Sequence, residues 1–177
     1  RKLDRAIQHY QHALQLEPGY ASAHNNLGNA LRRASQLDEA IEHYHQALRI
    51  KSDYAEAYNN LGIALAQQNR LQEAVDHFQQ ALRIKSDYTE AHNNLGIALA
   101  QQNRPKEAVD HFQQALQIRP DYAEAHNNLG IALAQQNRLK EAADHFQQAL
   151  RIRPDYAEAR DNLRMALTGQ RRSGESQ

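Results

Sequence analysis

Residues 59–70, Asn-Asn-Leu-Gly-Ile-Ala-Leu-Ala-Gln-Gln-Asn-Arg, recur unchanged at 93–104 and 127–138. A degenerate copy begins at Asn25-Asn26-Leu27-Gly28, and a broken one follows at Asp161-Asn162-Leu163-Arg164. Gly28, Gly62, Gly96 and Gly130 step by 34 residues. A unit of that length, stacked on copies of itself, builds its core as a line of neighbour contacts rather than as one ball.

Within the period two helical patterns alternate. Residues 3–16, 37–50, 71–84, 105–118 and 139–152 place apolar or small residues at helical spacing, as in Leu71, Ala74, Val75, Phe78, Ala81 and Leu82, which share one side of a helix. We name this helix B. Residues 20–34, 54–68, 88–102, 122–136 and 156–168 form helix A, whose core stripe is Ala57, Leu61, Ala64 and Leu65. Gly62 lies beside that stripe. A mid-helix glycine costs about 1 kcal/mol, so its return at one helical position signals a close helix contact.

The residues between the patterns agree with this division. Asp53-Tyr54-Ala55-Glu56, repeated at 87–90 (with Thr89), 121–124 and 155–158, has the spacing of a capping box and is expected to start helix A. Pro18, Pro120 and Pro154 stand just before it, where they end helix B. Asn69, Asn103 and Asn137 follow helix A at the position for a left-handed cap, and Pro105 opens its helix early enough to be tolerated. The expected architecture is an all-α solenoid of antiparallel helix pairs: a half repeat 1–18, full repeats 19–52, 53–86, 87–120 and 121–154, a half repeat 155–168 and a disordered tail 169–177.

These residues resemble the tetratricopeptide repeat, a 34-residue helix-turn-helix unit: Asn-Leu-Gly in helix A, Glu73-Ala74, Phe78 and Ala81-Leu82 in helix B, then Pro120-Asp121-Tyr122. The doubled asparagine before Leu-Gly, with Tyr-Ala-Glu-Ala upstream, is most similar to the repeats of O-GlcNAc transferase and related bacterial proteins. The resemblance implies a right-handed superhelix whose inner groove is lined by helix A, with one asparagine per repeat facing bound peptide backbone. Those positions are Asn26, Asn60, Asn94, Asn128 and Asn162. Where the family often has tryptophan, this chain has His24, Tyr58, His92, His126 and Arg160, which implies looser or wetter packing there. The lysine and arginine clamp that some members use for a carboxylate is expected to be absent, because Gln67, Gln101 and Gln135 stand at the inner positions and Arg33 occurs only in the first repeat.

Helical geometry alone reaches a similar groove. Glu56, Asn60, Ile63 and Gln67 form a stripe beside the core stripe, so stacked repeats present rows of amides (Asn59, Asn93 and Asn127 with the second asparagines, and Gln67, Gln101 and Gln135) beside Ile63, Ile97 and Ile131. An amide both donates and accepts, matching peptide backbone whatever its side chains. The competing reading is that these amides bridge neighbouring helices or bind water. Glu56, Glu90, Glu124 and Glu158 read as capping residues rather than as an acidic line for basic ligands.

No metal site or cofactor is expected. His77, His111 and His145 each follow an aspartate, but adjacent helix positions diverge by about 100°, and only His9 and His12 have a chelating spacing within one helix. Catalysis is not expected either, since the chain has no cysteine and no phosphate-binding glycine loop, and its few serines lie at caps, turns or the tail. Lysine plus arginine equal aspartate plus glutamate at 21 each, which removes the basic field that nucleic acid or an anionic membrane would need. The chain therefore reads as a soluble, cytoplasmic, non-catalytic scaffold for a protein or peptide ligand, with the periplasm also compatible. Two alternatives stand beside it. Leu3, Ile7, Tyr10 and Leu14 at one end, with Leu163 and Leu167 at the other, lack a partner helix and could stack separate copies into a homo-oligomer. The chain, starting and stopping in mid-repeat, could also be the substrate-positioning region of a larger enzyme.

Overall fold

The structure, a computed structural model, describes residues 2–174, with side chains through 170. Among the described residues there are ten helices and no strand: α1 (Lys2–Leu16), α2 (Ala21–Arg33), α3 (Leu37–Ile50), α4 (Ala55–Gln67), α5 (Leu71–Ile84), α6 (Thr89–Gln101), α7 (Pro105–Ile118), α8 (Ala123–Gln135), α9 (Leu139–Ile152) and α10 (Ala157–Gly174). They fall into two compact units, Arg1–Ser86 and Asp87–Gln177. In each unit a helix packs on its sequence neighbours, and helix A of one repeat also touches helix A of the next, as α2 does α4 and α6 does α8.

The stripes read from the sequence form the core of each unit. Ala57, Leu61, Ala64 and Leu65 of α4 face Ala74, Val75, Phe78 and Ala81 of α5, and all eight are buried. The unit Asp87–Gln177 repeats this with Leu95 and Leu99 over Phe112, and Leu129 and Leu133 over Phe146. Phenylalanine fits because its neighbour has no side chain: a Cβ on Gly62 would lie 2.6 Å from Cε1 of Phe78, and one on Gly130 2.5 Å from Cε1 of Phe146. The first repeat keeps the pairing with Gly28 against Tyr44, whose hydroxyl donates to Asn29 Oδ1 at 2.8 Å.

Helix A ends in a left-handed cap. Asn69, Asn103 and Asn137 have φ of 60°, 59° and 60°, and Ser35 takes the same conformation at 62°. The N–H of Arg70 donates to Leu65 O and that of Asn69 to Ala66 O, both at 2.9 Å, the double closure that satisfies the last carbonyls of a helix. Pro105 sits in the first turn of α7, which has the same 14 residues as α5 and α9.

Two expectations require correction. The N-cap residues are Tyr20, Tyr54, Tyr88 and Tyr122, none with a side-chain cap hydrogen bond, so Asp53 and its counterparts close no capping box. The chain enters the helix one residue later than the spacing suggests, and Tyr54 O instead accepts from the N–H groups of Ala57 and Tyr58. The glutamates, thereby moved to the second helical position, reach the arginines that end helix B. Arg119 pairs with Glu90 at 3.0 Å and Arg153 with Glu124 at 2.7 Å, while the two guanidinium groups stack over Tyr122 and Tyr156. The second correction concerns residues 169–174, which continue α10 where disorder was expected. Gln170 Nε2 donates to Leu139 O at 2.9 Å, as Gln136 Nε2 does to Pro105 O at 3.1 Å. One period after Asn137 the sequence has Arg171, so the asparagine that stops the other A helices is missing. Glu175 to Gln177 lie outside the described residues.

Candidate functional site

The doubled asparagines of helix A have two different environments. Asn25, Asn59, Asn93 and Asn127 are buried, with Asn127 at 0% exposure. The second asparagines are more open: Asn60, Asn94, Asn128 and Asn162 are half-buried and Asn26 is exposed. Within each unit, repeats are joined by a hydrogen bond from the second asparagine to the first asparagine of the repeat before. Asn60 Nδ2 donates to Asn25 Oδ1, Asn128 Nδ2 to Asn93 Oδ1 and Asn162 Nδ2 to Asn127 Oδ1, each at 3.0 Å. Asn127 Nδ2 in turn donates to Glu158 Oε1 at 3.2 Å. A buried amide is tolerated because both of its ends are occupied.

The amides expected as one surface are thus split. Asn93 and Asn127 serve the stack between helices, which is the bridging reading for these amides. The Oδ1 atoms of Asn60, Asn128 and Asn162 accept nothing from the described residues.

In the unit Asp87–Gln177 these open amides border two successive clefts. One, of about 240 Å³, is lined by Ile97, Ala100, Gln101, Asn128, Ile131 and Gln135 above Phe112 and Ala132. The next, of about 360 Å³, is lined by Ile131, Ala134, Gln135, Asn162, Met165 and Ala166, with Leu139 and Phe146 behind. The clefts share Ile131 and Gln135, and neither is lined by a charged side chain. In the unit Arg1–Ser86, Ile63 is half-buried and Gln67 exposed on α4, whereas α2 carries Asn29 and exposed Arg33 at those positions. Met165 and the alanines at 100 and 134 were not anticipated. Ala100 and Ala134 follow the same 34-residue step as Ile97 and Ile131, and that step was the signal available for them.

The residues expected at the ends are less buried than those of the inner helices. Leu3, Ile7, Tyr10 and Leu14 are half-buried on α1, which has no buried residue. On α10 Leu163 is half-buried and Leu167 is 40% exposed, and both line a shallow cleft with Arg160 and Arg164.

The positions where tryptophan is common are filled by histidines that pair across the turn between helix A and helix B. Nδ1 of His24 lies 2.9 Å from Nδ1 of His43, His92 3.3 Å from His111, and His126 3.0 Å from His145. In the remaining full repeat Tyr58 stacks on His77, with ring centroids 5.9 Å apart. Burial, with the neighbouring histidine as second cause, holds His43, His111 and His145 below the ordinary imidazole value. His9 and His12 are exposed on α1. Among the described residues no group of three or more histidine, cysteine, aspartate or glutamate side chains could hold a metal ion.

The tetratricopeptide-repeat sequence family matches residues 19–87 and 87–155, and a further repeat profile of the family matches 2–34. The chain belongs to the tetratricopeptide-repeat (TPR) family. TPR proteins serve generally as protein-interaction scaffolds, and membership gives the chain that class of role. No curated protein matches its sequence. Solved TPR structures do resemble it. MamA is 25% identical, covers 88% of this chain and 91% of its own, and superposes with a TM-score of 0.77. YrrB, described as a TPR protein with an unusual peptide-binding site, is 27% identical over 89% of this chain and 81% of its own, at 0.73. TTC0263, a thermophilic TPR protein of Thermus thermophilus, shares the fold at 22% identity and a TM-score of 0.77, covering 94% of this chain and 91% of its own. Among the described residues no helix of this TPR chain is long and apolar enough to cross a membrane.

Proposed function

We propose that this chain is a non-catalytic scaffold that binds an extended peptide or protein segment along the face of helix A. The observation that carries the reading is the pair of uncharged clefts sharing Ile131 and Gln135, with Asn128 and Asn162 at their edges and the Oδ1 of each left without a partner among the described residues. Each open amide offers an acceptor and a second N–H to a peptide backbone, for about 1 kcal/mol net per bond, while the cleft takes an apolar side chain. Asn94, Ile97 and Gln101 stand at the equivalent sequence positions one repeat earlier, and Asn60, Ile63 and Gln67 do so within the unit Arg1–Ser86. The peptide-binding description of YrrB, a related TPR fold, favours the reading.

The test is capture of partners from host lysate by the chain and by its Ile97→Glu, Ile131→Glu variant, with helicity compared first. These isoleucines are half-buried at the cleft and make no rung of the amide stack, so the change charges the cleft and spares the stack. Partners lost only by the variant support the groove, and partners retained equally by both remove it. A second reading, self-association through α10, draws on the exposure of Leu167 beside Leu163. Light scattering over a concentration series tests it, and a mass that stays monomeric rules it out.

A further inference from the structure

We infer that the helix pair α2 and α3 of the unit Arg1–Ser86 carries a subsite for a carboxylate side chain of a bound protein segment, built from Asn29, Arg32, Arg33 and Tyr44. The inference rests on the groove reading of the helix A face and names a charge that one part of that groove takes. The repeats serve as controls for one another. Ile97, Ala100, Gln101 and Phe112 line the cleft of about 240 Å³. The same four positions read Ile63, Ala66, Gln67 and Phe78 in α4 and α5, and Ile131, Ala134, Gln135 and Phe146 in α8 and α9. In α2 and α3 all four differ, and an uncharged, largely apolar set becomes polar and cationic.

The departures are confined to one face. Helix α2 differs from α4, α6 and α8 alike only at Ser22, Asn29, Arg32 and Arg33. Ser22 replaces the Glu56, Glu90 or Glu124 of the other helices, so α2 holds two arginines and no acidic residue. The negative end of a helix favours cations, which accounts for the arginines in its last turn but not for Asn29, Tyr44 or the lost glutamate. A multi-repeat lysine and arginine clamp is a different arrangement, and uncharged Gln67, Gln101 and Gln135 stand where it would continue.

The side chains are arranged as donors. The Tyr44 hydroxyl donates to Asn29 Oδ1 at 2.8 Å, which leaves Asn29 Nδ2 with both N–H groups to give. Burial raises the Tyr44 pKa and Arg32 opposes that rise, so the guanidinium stands beside the hydroxyl. Arg32 Nε is shielded from water with no hydrogen-bond partner, a cost that a carboxylate drawing the guanidinium outward would remove. Neither arginine forms an ion pair among the described residues. Of the carboxylates that open α3, Asp38 accepts from Gln68 at 2.6 Å and Glu39 from Gln36 at 3.1 Å.

A side chain fits this placement better than a chain end. Asn26 and Asn60 are the amides that would hold ligand backbone here, and Arg32 and Arg33 lie about 9–10 Å further along the helix than Asn26. The arginines therefore flank the backbone line, and a carboxylate reaches them from the side. Two cations on a chain of zero formal charge make no field for a polyanion.

The test offers the full chain a bead library of short N-acetylated peptides tied to resin by their C-termini, so that side chains supply the carboxylates. Beside it stand two variants. Asn29→Ile, Arg32→Ala, Arg33→Gln, Tyr44→Phe gives α2 and α3 the residues of the other repeats and should keep the helicity of the chain, and Ile97→Glu, Ile131→Glu is the groove variant. Peptides selected by the unaltered chain should be enriched in aspartate or glutamate. Changing that residue to its amide should weaken binding about five- to tenfold, and the reverted variant should bind acid and amide forms alike. No acidic preference, or one that survives reversion, overturns the subsite alone when the groove variant still loses the peptides. A non-acidic peptide that gains as much from a free C-terminus overturns the assignment to a side chain. If no peptide is selected, or those selected are indifferent to both variants, the groove reading falls and the subsite with it.

Discussion

A Cβ built on Gly62 would stand 2.6 Å from Cε1 of Phe78, a separation that packed carbon atoms do not adopt. Alanine at Gly62 would gain about 1 kcal/mol of helix propensity. It would also force a ring that is 1% exposed against its packed neighbours, an overpacking cost of about 1–3 kcal/mol. The second effect exceeds the first, so Gly62→Ala should lower the midpoint of thermal unfolding. Gly62→Ala combined with Phe78→Leu should recover part of the loss, and equal losses in the single and double variants would show that the ring is not the obstacle.

Ser35 carries φ of 62° where three other repeats use asparagine at 59–60°. Serine pays more for that conformation than asparagine or glycine. Ser35→Gly and Ser35→Asn should each stabilise the chain by about 0.5–1 kcal/mol, and Asn69→Ala should destabilise it by a similar amount. Urea unfolding with an unchanged m-value checks both signs.

Asn127 accepts from Asn162 and donates to Glu158 while fully buried. Asn127→Ala breaks both bonds and should cost about 1–3 kcal/mol. Asn127→Asp keeps the acceptor for Asn162 but sets a buried carboxylate against that of Glu158, so it should be the worse variant at pH 7. Its deficit should shrink toward pH 4 as a carboxyl takes up a proton. Thermal unfolding of both variants at the two pH values provides the comparison.

Burial first, and for all but His126 a neighbouring histidine second, hold His43, His77, His111, His126 and His145 below the ordinary 6.5. On acidification the unfolded chain therefore protonates before the folded one. Stability is complete above about pH 6.5 and falls as the pH descends from there through the lower folded-state values. The groups that face these rings are His24, His92 and His126 on helix A, and Glu39, Glu42, His45, Glu73, Asp76, Glu107, Asp110, Glu141 and Asp144 on helix B, with Arg70 and Arg138 opposing the carboxylates. Melting temperatures at pH 7.5, 6.5 and 5.5 should decline stepwise, and the His43→Gln, His111→Gln, His145→Gln variant should show a flatter decline.

Apart from the end of α10, helix positions were legible to within about a residue because Gly62, Asn69 and Phe78 act locally and their neighbours are set by helical spacing. The capping box was misread because Asp53 and Glu56 have the right spacing for it, and a one-residue delay in helix entry, visible only in backbone angles, gives the cap to Tyr54. The histidine pairs lie 19 residues apart, across a turn, and no single-helix periodicity reveals them. The two asparagines of each Asn-Asn pair look equivalent in sequence. Their separation into stack and surface depends on the 35-residue reach from one repeat to the next, which only the packed structure contains.

The bond from Asn128 Nδ2 to Asn93 Oδ1 leaves the carbonyl end of the same amide open. An amide is one conjugated dipole, and a proton donor arriving at its oxygen withdraws electron density from its nitrogen and strengthens the N–H it already donates. A proton donor that met Oδ1 of Asn128 or Asn162 would therefore tighten the joint with the repeat before it and stiffen the stack of the unit Asp87–Gln177.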